Sequence, residues 1–244
     1  MSMEPGTSDQ ELWDQSYQRH ENYVFVPSDE TVRFFARFLR KRVGLAETID
    51  IAPNIGTAKI LDAGCGVGRN VMYGSQLGLN MYGFDHSHSA ICLAREWLLS
   101  TADRPDIQER CLQADIQSIP WPNEYFDHVL SDSVLDSMAF QTAKAGVKEL
   151  ARVIKPGGYF WFSVISSRGS RDSDLTPGEV VIRDTFEFGT TQSYFDYKKI
   201  RRMVAKHFTI LHCELHEASD PEGEIVGGRW YATCRRNAVP WPTP

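Results

Sequence analysis

A glycine-rich turn near residue 64 constrains the fold of this chain more than any other feature. The apolar pair Ile60-Leu61 leads into Asp62, and glycines then recur at positions 64, 66 and 68. Glycine adopts left-handed backbone conformations without steric cost and allows a ligand to approach the main chain closely. A strand, a tight turn and a helix start are therefore predicted over 60–70, a geometry that suits a nucleoside-bearing ligand.

The spacing of these glycines separates two kinds of nucleotide site. Dinucleotide-binding folds use G-x-G-x-x-G, in which the third small residue opens the helix. Here the glycines alternate with single residues in Asp62-Ala63-Gly64-Cys65-Gly66-Val67-Gly68, and an acid stands two residues before the first of them. This spacing disfavours a nicotinamide-dependent oxidoreductase, which stays open only as the less favoured alternative.

Strand and helix patterns alternate along the rest of the chain. Strands are predicted over 59–63, 80–84, 110–114, 125–130, 159–166, 208–216 and 228–235, and another strand pattern covers 180–188. Helices are predicted over 67–77, 87–99, 142–153 and 196–206. The alternation predicts an α/β fold, a single Rossmann-like domain in which helices cover both faces of a seven-stranded, mostly parallel sheet.

Residues 1–57 form an extension ahead of this core. An amphipathic helix is predicted over 11–18, and Ser28 caps a second helix that the cations Arg40-Lys41-Arg42 close. Residues 44–57 are predicted as a loop. The core then covers 58–236 and includes a polar insertion over 167–195, and a proline-rich tail covers 237–244.

Three acids follow the first three strands of the predicted core, at Asp62, Asp85 and Asp115. In an open parallel sheet, ligands bind at the carboxyl ends of the strands. An acid after the second strand suits hydrogen bonds from both hydroxyls of a ribose. The three acids and the glycine turn are therefore predicted to form one site.

Together these motifs resemble those of the class I S-adenosylmethionine-dependent methyltransferases, over residues 11–236. The glycine turn is similar to the first motif of that family, and the segments 81–87, 113–116, 126–133 and 149–158 are similar to later ones. The resemblance implies S-adenosyl-L-methionine as cofactor, an antiparallel last strand and a helical lid over 1–57. It also implies the following cofactor-binding residues: Asp62, Ala63, Gly64, Cys65, Gly66, Asp85, His86, Asp115, Ile116 and Ser131.

The resemblance assigns a role to several of these residues. Asp62 would order the loop around the amino-acid end of the cofactor, and Asp85 would accept hydrogen bonds from the ribose. His86 would flank the adenine. Asp115 would accept from the adenine amino group, and Ile116 would pack on the ring.

A finer resemblance is to small-molecule methyltransferases that carry an N-terminal lid. Arg69-Asn70 after the glycine turn fits that pattern, as do the aromatic residues Trp13, Tyr17 and Tyr23. The insertion over 167–195 would help to wall the acceptor pocket. The sequence does not identify the catalytic residues. Asp136, Tyr17 and Tyr23 are weak candidates, and Asp136 is equally compatible with a capping role.

The resemblance implies an enzyme that transfers a methyl group, by in-line displacement, to a nitrogen or oxygen atom of a small-molecule acceptor. Two alternatives stay open: a methyltransferase acting on protein or RNA, and a non-catalytic subunit that binds S-adenosylmethionine. The sequence leaves open the acceptor, its reacting atom, the use of a general base and the oligomeric state.

The composition of the chain disfavours several kinds of partner. The chain has 32 acidic and 26 basic residues, a net charge of −6, which disfavours a nucleic-acid partner held through its phosphates. No apolar stretch approaches the ~20 residues that a membrane span requires, and the first residues lack a secretory signal pattern. A cytoplasmic location is therefore expected. The five scattered cysteines form no metal-ligand pattern, so no metal is expected.

Overall fold

Helices and strands alternate along the residues that the computed structural model describes, 7–102, 106–168 and 178–238. The helices are α1 (Asp9–Gln18), α2 (Asp29–Phe34, continued by a π-helical turn over Phe35–Leu39), α3 (Arg69–Gln76), α4 (His88–Ala102), α5 (Ile107–Arg110), α6 (Phe140–Val153) and α7 (Tyr197–Val204). The strands are β1 (Arg40–Arg42), β2 (Thr48–Asp50), β3 (Lys59–Ala63), β4 (Asn80–Asp85), β5 (Cys111–Gln113), β6 (His128–Asp132), β7 (Tyr159–Ile165), β8 (Glu179–Val181), β9 (Thr191–Ser193), β10 (Phe208–Ser219) and β11 (Ile225–Arg236). Most of the predicted tail and part of the insertion, 169–177, lie outside the described residues.

Seven of the strands form one sheet, in the order β10-β11-β7-β6-β3-β4-β5. β3 pairs in parallel with β4 and β6, and the parallel pairing extends to β5 and β7. β11 lies antiparallel between β7 and β10. This arrangement confirms the predicted seven-stranded, mostly parallel sheet with an antiparallel last strand.

The order of the strands reverses across the sheet at β3. β4 and β5 lie on one side of it, and β6 and β7 lie on the other. The loops that follow β3 and β6 therefore diverge at the carboxyl ends of two adjacent strands. Open α/β sheets bind their ligands in the crevice that such a divergence creates. The glycine turn follows β3 directly and lies at this crevice.

The core strands are buried on both faces, which explains their nearly continuous apolar sequences. Within β3, Ile60 packs in one apolar cluster with residues of α3 and α4, whereas Leu61 packs in the other with residues of α6 and α7. Both side chains are fully buried. Burying an aliphatic side chain of this size contributes ~1.5–3 kcal/mol, so the two clusters hold the strand ends in place for the site.

The N-terminal segment departs from its prediction at Arg40-Lys41-Arg42. These residues do not close a helix: they form β1, which pairs antiparallel with β2 inside the predicted loop over 44–57. Arg40 is held in the extended strand by Asp50, with Nε to Oδ1 at 2.6 Å, and by the carbonyl of Leu77, with Nη1 to O at 3.0 Å. The helical prediction is wrong here because a tertiary contact, absent from the local pattern, determines where Arg40 lies.

The strand predicted over 180–188 is also wrong. Only Glu179–Val181 is extended, and β8 pairs with β9 in a hairpin whose turn occupies 182–190. The backbone turns at Glu187 and Gly189, whose φ angles are 55° and 89°. Elsewhere the differences lie at element ends: α5 precedes a shortened β5, and β6 starts at His128. No helix within the described ranges is long and apolar enough to cross a membrane.

Candidate functional site

The glycine turn after β3 is shaped by positions that exclude a side chain. Gly64 has a φ angle of 75°, and a Cβ atom there would lie 2.6 Å from Cγ1 of Val134. Gly66 has a φ angle of 53°, and its Cβ would lie 2.6 Å from the hydroxyl oxygen of Tyr17. The N–H groups of Gly64 and Cys65 both donate to the carbonyl of Phe84 at 2.8 Å. The turn is thus fixed against β4 while its backbone faces the crevice.

Asp85, the last residue of β4, completes this turn from the other side. Its Oδ2 accepts from the N–H of Gly66 at 2.8 Å, and its Oδ1 accepts from the N–H of Ser87 at 2.9 Å. Burial raises the pKa of Asp85, and the N–H groups of Ser87 and Gly66 oppose that effect by favouring the carboxylate. The carboxylate is held rigidly at the place where the sequence predicted a ribose acceptor.

Asp62 lies beneath the turn, fully buried within β3. Its Oδ1 is 3.5 Å from Nδ2 of Asn70. Its Oδ2, like Oδ1 of Asn70, finds no hydrogen-bond partner in the part of the chain that the structure describes. Burial raises the pKa of Asp62 to about 7, while the Asn70 amide opposes the shift. Buried polar atoms normally have partners, so this pair leaves acceptor capacity beside the turn for a donor group.

Asp132, the last residue of β6, ties three elements together. Its Oδ2 accepts from Nη2 of Arg69 at 2.9 Å and from Oγ1 of Thr31 at 3.1 Å. Its Oδ1 accepts from Oγ of Ser163 at 2.6 Å, and the hydroxyl of Ser28 donates to Oδ2 at 3.2 Å. Asp132 was not among the predicted site residues. It ends the fourth core strand, which is the same kind of position that identified Asp62, Asp85 and Asp115.

The glycine turn, Asn70, Asp85 and Asp132 line a cavity of about 470 Å³, which lies in the size range of small-molecule sites. Seven of the ten predicted cofactor residues line it: Gly64, Cys65, Gly66, Asp85, His86, Asp115 and Ile116. Tyr17 of α1, one of the weak catalytic candidates, lines it as well. The sequence therefore predicted most of the residues with which the glycine turn, β4 and the segment after β5 line the cavity.

The other predicted residues lie outside the cavity lining. Asp62 and Ala63 are buried in β3 behind the turn, and the hydroxyl of Ser131 donates to the carbonyl of Ala63 at 3.0 Å. Tyr23 stacks on His20 with 4.4 Å between ring centroids. Asp136 is buried, and its Oδ2 accepts from the N–H of Ile165 at 2.7 Å and from Arg229. These contacts hold Asp136 on β7 and β11, and neither of them caps a helix.

Three more polar residues line the same cavity, namely Glu187, Gln192 and Arg229. Glu187 and Gln192 lie in the insertion that was predicted to wall a pocket, whereas Arg229 was not predicted. Arg229 of β11 donates from Nη1 to Oδ2 of Asp136 at 3.0 Å. The N–H of Glu187 donates to Oε2 of Glu21 at 3.0 Å. Burial raises the pKa of Glu187. The sequence placed the insertion near a pocket, but only the tertiary fold brings Arg229 of β11 and the segment after α1 to the same place.

The first helix is docked against the glycine turn and the start of α4. Oδ1 of Asp14 accepts from the hydroxyl of Ser87 at 2.5 Å and from the N–H of Ser89 at 2.9 Å. Ser87 also caps α4, because its Oγ accepts from the N–H of Ala90 at 3.1 Å. Through these contacts α1 places the buried Tyr17 against Gly66. The helix therefore covers the glycine turn.

The pKa of Asp62 makes the stability of the protein depend on pH. The unfolded chain releases this proton near its ordinary pKa of 3.8, whereas the folded protein keeps it up to about pH 7. Between these values the unfolded state binds fewer protons, so stability falls as the pH rises. Relative to Asp62→Asn, we expect the free energy of unfolding to drop by roughly 4 kcal/mol at most across this window. Urea unfolding at stepwise pH measures it.

The exposed acid Asp184, for which the structure shows no ion pair among the described residues, supplies the control for this experiment. Asp184→Asn should leave the pH dependence of the free energy of unfolding unchanged. Curves for the unmodified protein and Asp62→Asn that run parallel from pH 4 to pH 7 would show that Asp62 ionises normally in the folded state.

The seven-stranded sheet shares its fold with solved Rossmann-like methyltransferases. Residues 61–162, which contain the glycine turn and the acids Asp62 and Asp85, match the family model described as "Methyltransferase domain". This part of the chain is therefore similar to a methyltransferase domain.

Curated relatives share about half of this chain. A tRNA (carboxymethyluridine(34)-5-O)-methyltransferase of Arabidopsis thaliana is 33% identical over 122 residues, which are 48% of this chain and 26% of that protein. A malonyl-[acyl-carrier protein] O-methyltransferase of Enterobacter lignolyticus is 30% identical over 110 residues, 45% of this chain and 40% of that protein. The matched segments thus span less than half the length of these relatives.

Solved structures share the fold over nearly the whole chain. The 1,6-didemethyltoxoflavin-N1-methyltransferase of Burkholderia thailandensis, with 1,6-didemethyltoxoflavin and S-adenosylhomocysteine bound, gives a TM-score of 0.64 at 15% identity, covering 97% of this chain and 93% of its own. The magnesium protoporphyrin IX methyltransferase of Synechocystis PCC 6803, with S-adenosylmethionine bound, gives a TM-score of 0.64 at 14% identity. The match covers 96% of this chain and 100% of that one. At these identities the likeness concerns the fold alone.

Proposed function

We propose that this protein transfers the methyl group of S-adenosylmethionine to a nitrogen or oxygen atom of a small-molecule acceptor. One observation carries the proposal: the glycine turn and Asp85 line the same cavity as Glu187 and Arg229. A donor bound at the first pair and an acceptor bound at the second would meet inside one cavity. The methyltransferase relatives support the donor half of the proposal.

The chemistry of the lining fits the donor. Asp85 would accept from the ribose hydroxyls, and Asp115 and Ile116 would hold the adenine. Asp62 and Asn70, with their unpartnered oxygen atoms beneath the turn, would order the amino-acid end. The cation of the donor also suits the net charge of the lining, which contains the acids Asp9, Asp85, Asp115, Asp132 and Glu187 against Arg69 and Arg229. Each of these cations is paired with an aspartate.

The residues around the cavity would act mainly by positioning and by excluding water. When bound, S-adenosylmethionine supplies an activated methyl group on a positively charged sulfur atom. Holding reactants in line contributes ~7–11 kcal/mol in favourable cases. α1 would contribute to this by covering the turn with Tyr17, and the hairpin turn is held to the segment after α1 by the bond from Glu187 to Glu21.

Glu187 is the residue best placed to accept a proton from the acceptor. Its carboxyl lies at the cavity, and burial raises its pKa, which suits a base that works near neutral pH. Its non-glycine backbone adopts a left-handed conformation, with φ at 55°. Such conformations persist where the surrounding structure enforces them, and they are frequent at functional sites. Arg229 and Gln192 would orient a polar group of the acceptor beside it.

Calorimetric titration with S-adenosylmethionine and S-adenosylhomocysteine tests the donor half directly. We expect one saturable site for each ligand. Absence of binding would overturn the proposal. An acceptor panel assayed for release of S-adenosylhomocysteine then tests transfer, with small hydroxy and amino compounds expected to react. Turnover on tRNA or a carrier protein alone would replace the small-molecule assignment, and binding without turnover would indicate a non-catalytic subunit.

Replacing the carboxyl of Glu187 separates its role in proton transfer from binding of the donor. Glu187→Gln should lower the rate of methyl transfer by about 10²- to 10⁴-fold, the usual contribution of a general base. The affinity for S-adenosylhomocysteine should stay within a factor of about two, because the variant leaves the glycine turn and Asp85 unchanged. Asp184→Asn, an exposed acid in the same turn, is the matched control. Unchanged transfer by Glu187→Gln would exclude Glu187 as the base.

A further inference from the structure

A second group of ligand-forming side chains lies away from the cavity, on the edge strand β10. His212, Glu214 and His216 alternate along a regular part of the β10–β11 ladder and therefore share one face of the strand. Glu30 of α2 reaches the same place from the N-terminal segment. The His-x-Glu-x-His pattern by itself does not predict a metal site. The second carboxyl group, that of Glu30, lies almost two hundred positions earlier in the sequence.

The imidazole of His216 lies between two carboxyl groups. Its Nδ1 is 3.6 Å from Oε1 of Glu30, and its Nε2 is 3.5 Å from Oε1 of Glu214. One ligand atom from each of the three residues can be chosen so that all lie within 4.8 Å of one another. Four-coordinate zinc with ligands at 2.0–2.1 Å requires about 3.3 Å between ligand atoms. The two carboxyl groups face different ring nitrogens, so a shared ion would bind one of these nitrogens and the carboxyl group on the other side would rotate toward it.

We propose that Glu30, Glu214 and His216 bind a divalent transition-metal cation, with Zn²⁺ as the best-matched ion. One imidazole and two carboxylates are a ligand set that zinc accepts, and a water molecule would fill the fourth position. His212 acts on the site through Glu214: its Nε2 lies 3.1 Å from Oε2 of that residue, the oxygen on the side away from His216. Such a contact orients a carboxylate ligand.

The other charged groups near the site do not block a cation. Arg33 lies 3.4 Å from Oε1 of Glu30, but its side chain is 57% exposed and is free to turn into solvent. Arg168 pairs instead with Glu217. The site thus brings two carboxylates together with one exposed arginine as the charged neighbour among the contacts described for it.

Binding there would fasten the N-terminal segment to the sheet. Glu30 lies in the first turn of α2, and Ser28 and Thr31 beside it contact Asp132 at the cavity. Asp132 in turn holds Arg69 at the start of α3. A metal ion between α2 and β10 would therefore stabilise the contacts that position one wall of the cavity.

Calorimetric titration of the full chain with Zn²⁺, under a phosphine reductant, tests the proposal. We expect one saturable site. Glu30→Gln, Glu214→Gln and His216→Ala should each weaken binding at least about tenfold, and His212→Gln should weaken it less. Glu217→Gln, a carboxyl on the same strand, should bind like the unmodified protein. Zn²⁺ should raise the midpoint of thermal unfolding of the unmodified protein and leave that of His216→Ala unchanged.

Co²⁺ provides the second measurement, because the chain also contains five cysteines. The Co²⁺ complex should show only the weak visible bands of nitrogen and oxygen ligation. Intense thiolate-to-cobalt absorption would place the ion on cysteines and overturn the proposal. The absence of saturable Zn²⁺ binding would overturn the proposal as well. So would a Zn²⁺ affinity of the folded Glu214→Gln and Glu30→Gln variants equal to that of the unmodified protein.

Discussion

Replacing Asp85 by asparagine should weaken the binding of S-adenosylhomocysteine by roughly 10²- to 10⁴-fold. Hydrogen bonds to a charged group contribute about 1.5–3 kcal/mol each, and two bonds from a ribose would be affected. The change also reaches the protein itself. An asparagine has one acceptor oxygen where Asp85 uses two, for the N–H groups of Gly66 and Ser87. The amide would therefore present its NH₂ group to one of these donors and disturb the glycine turn.

Calorimetry with the product avoids any need to know the acceptor. Asp115→Asn is the matched control, since Asp115 lines the same cavity but its carboxyl accepts one backbone hydrogen bond, from Gln117 at 2.7 Å. We expect a smaller loss of affinity in that variant. If Asp85→Asn, folded by circular dichroism, bound the product within about threefold of the unmodified protein, Asp85 would not contact the ligand.

Replacing Gly64 by alanine should lower stability and binding together. A left-handed backbone costs an alanine about 1–2 kcal/mol, and overpacking adds about 1–3 kcal/mol. The new methyl group would overlap both γ-carbons of Val134, which lines the cavity. We therefore expect the free energy of unfolding to fall by about 2–5 kcal/mol. Affinity for S-adenosylhomocysteine should fall at least about tenfold, because relief of the overlap moves the turn.

Two further variants separate the causes. Gly157→Ala has a similar φ angle of 81° with no atom within 4 Å of the new Cβ. It should show the backbone cost of about 1–2 kcal/mol alone, with normal binding. Adding Val134→Ala to Gly64→Ala should restore part of the free energy of unfolding that is lost to overpacking. It should restore none of the part that is lost to the left-handed backbone. Equal destabilisation by Gly64→Ala and Gly157→Ala would show that Val134 moves aside freely.

The part of the cavity around the glycine turn was predictable because its residues follow local rules. Gly64 and Gly66 adopt the left-handed conformations that the pattern indicated, and Asp85 closes the strand at which it was predicted. Both features depend on positions close in sequence. The roles implied for His86, Asp115 and Ile116 toward an adenine remain predictions, although all three line the cavity.

The predictions that failed depend on distant contacts. Arg40 was assigned to a helix end, but Asp50 and the carbonyl of Leu77 hold it in a strand. The exposed side chains of β2 give no alternating pattern, so its pairing with β1 leaves no trace in the sequence. In the insertion, the strand pattern over 180–188 concealed a turn at Glu187. A period of two in hydrophobicity does not reveal where a short hairpin reverses.

The sequence by itself determined the class of the fold, the order of its core elements and the part of the cavity lining that the glycine turn and Asp85 supply. Strand and helix periodicity, glycine conformation and the position of acids at strand ends are local properties, and the chain carries them wherever it folds. Only the tertiary structure decided which residues the insertion shares the cavity with, and only it formed the cluster of Glu30, Glu214 and His216. Glu187 and Arg229, like Glu30 and His216, are distant in sequence and come together because packed helices and an antiparallel strand bring them to one place.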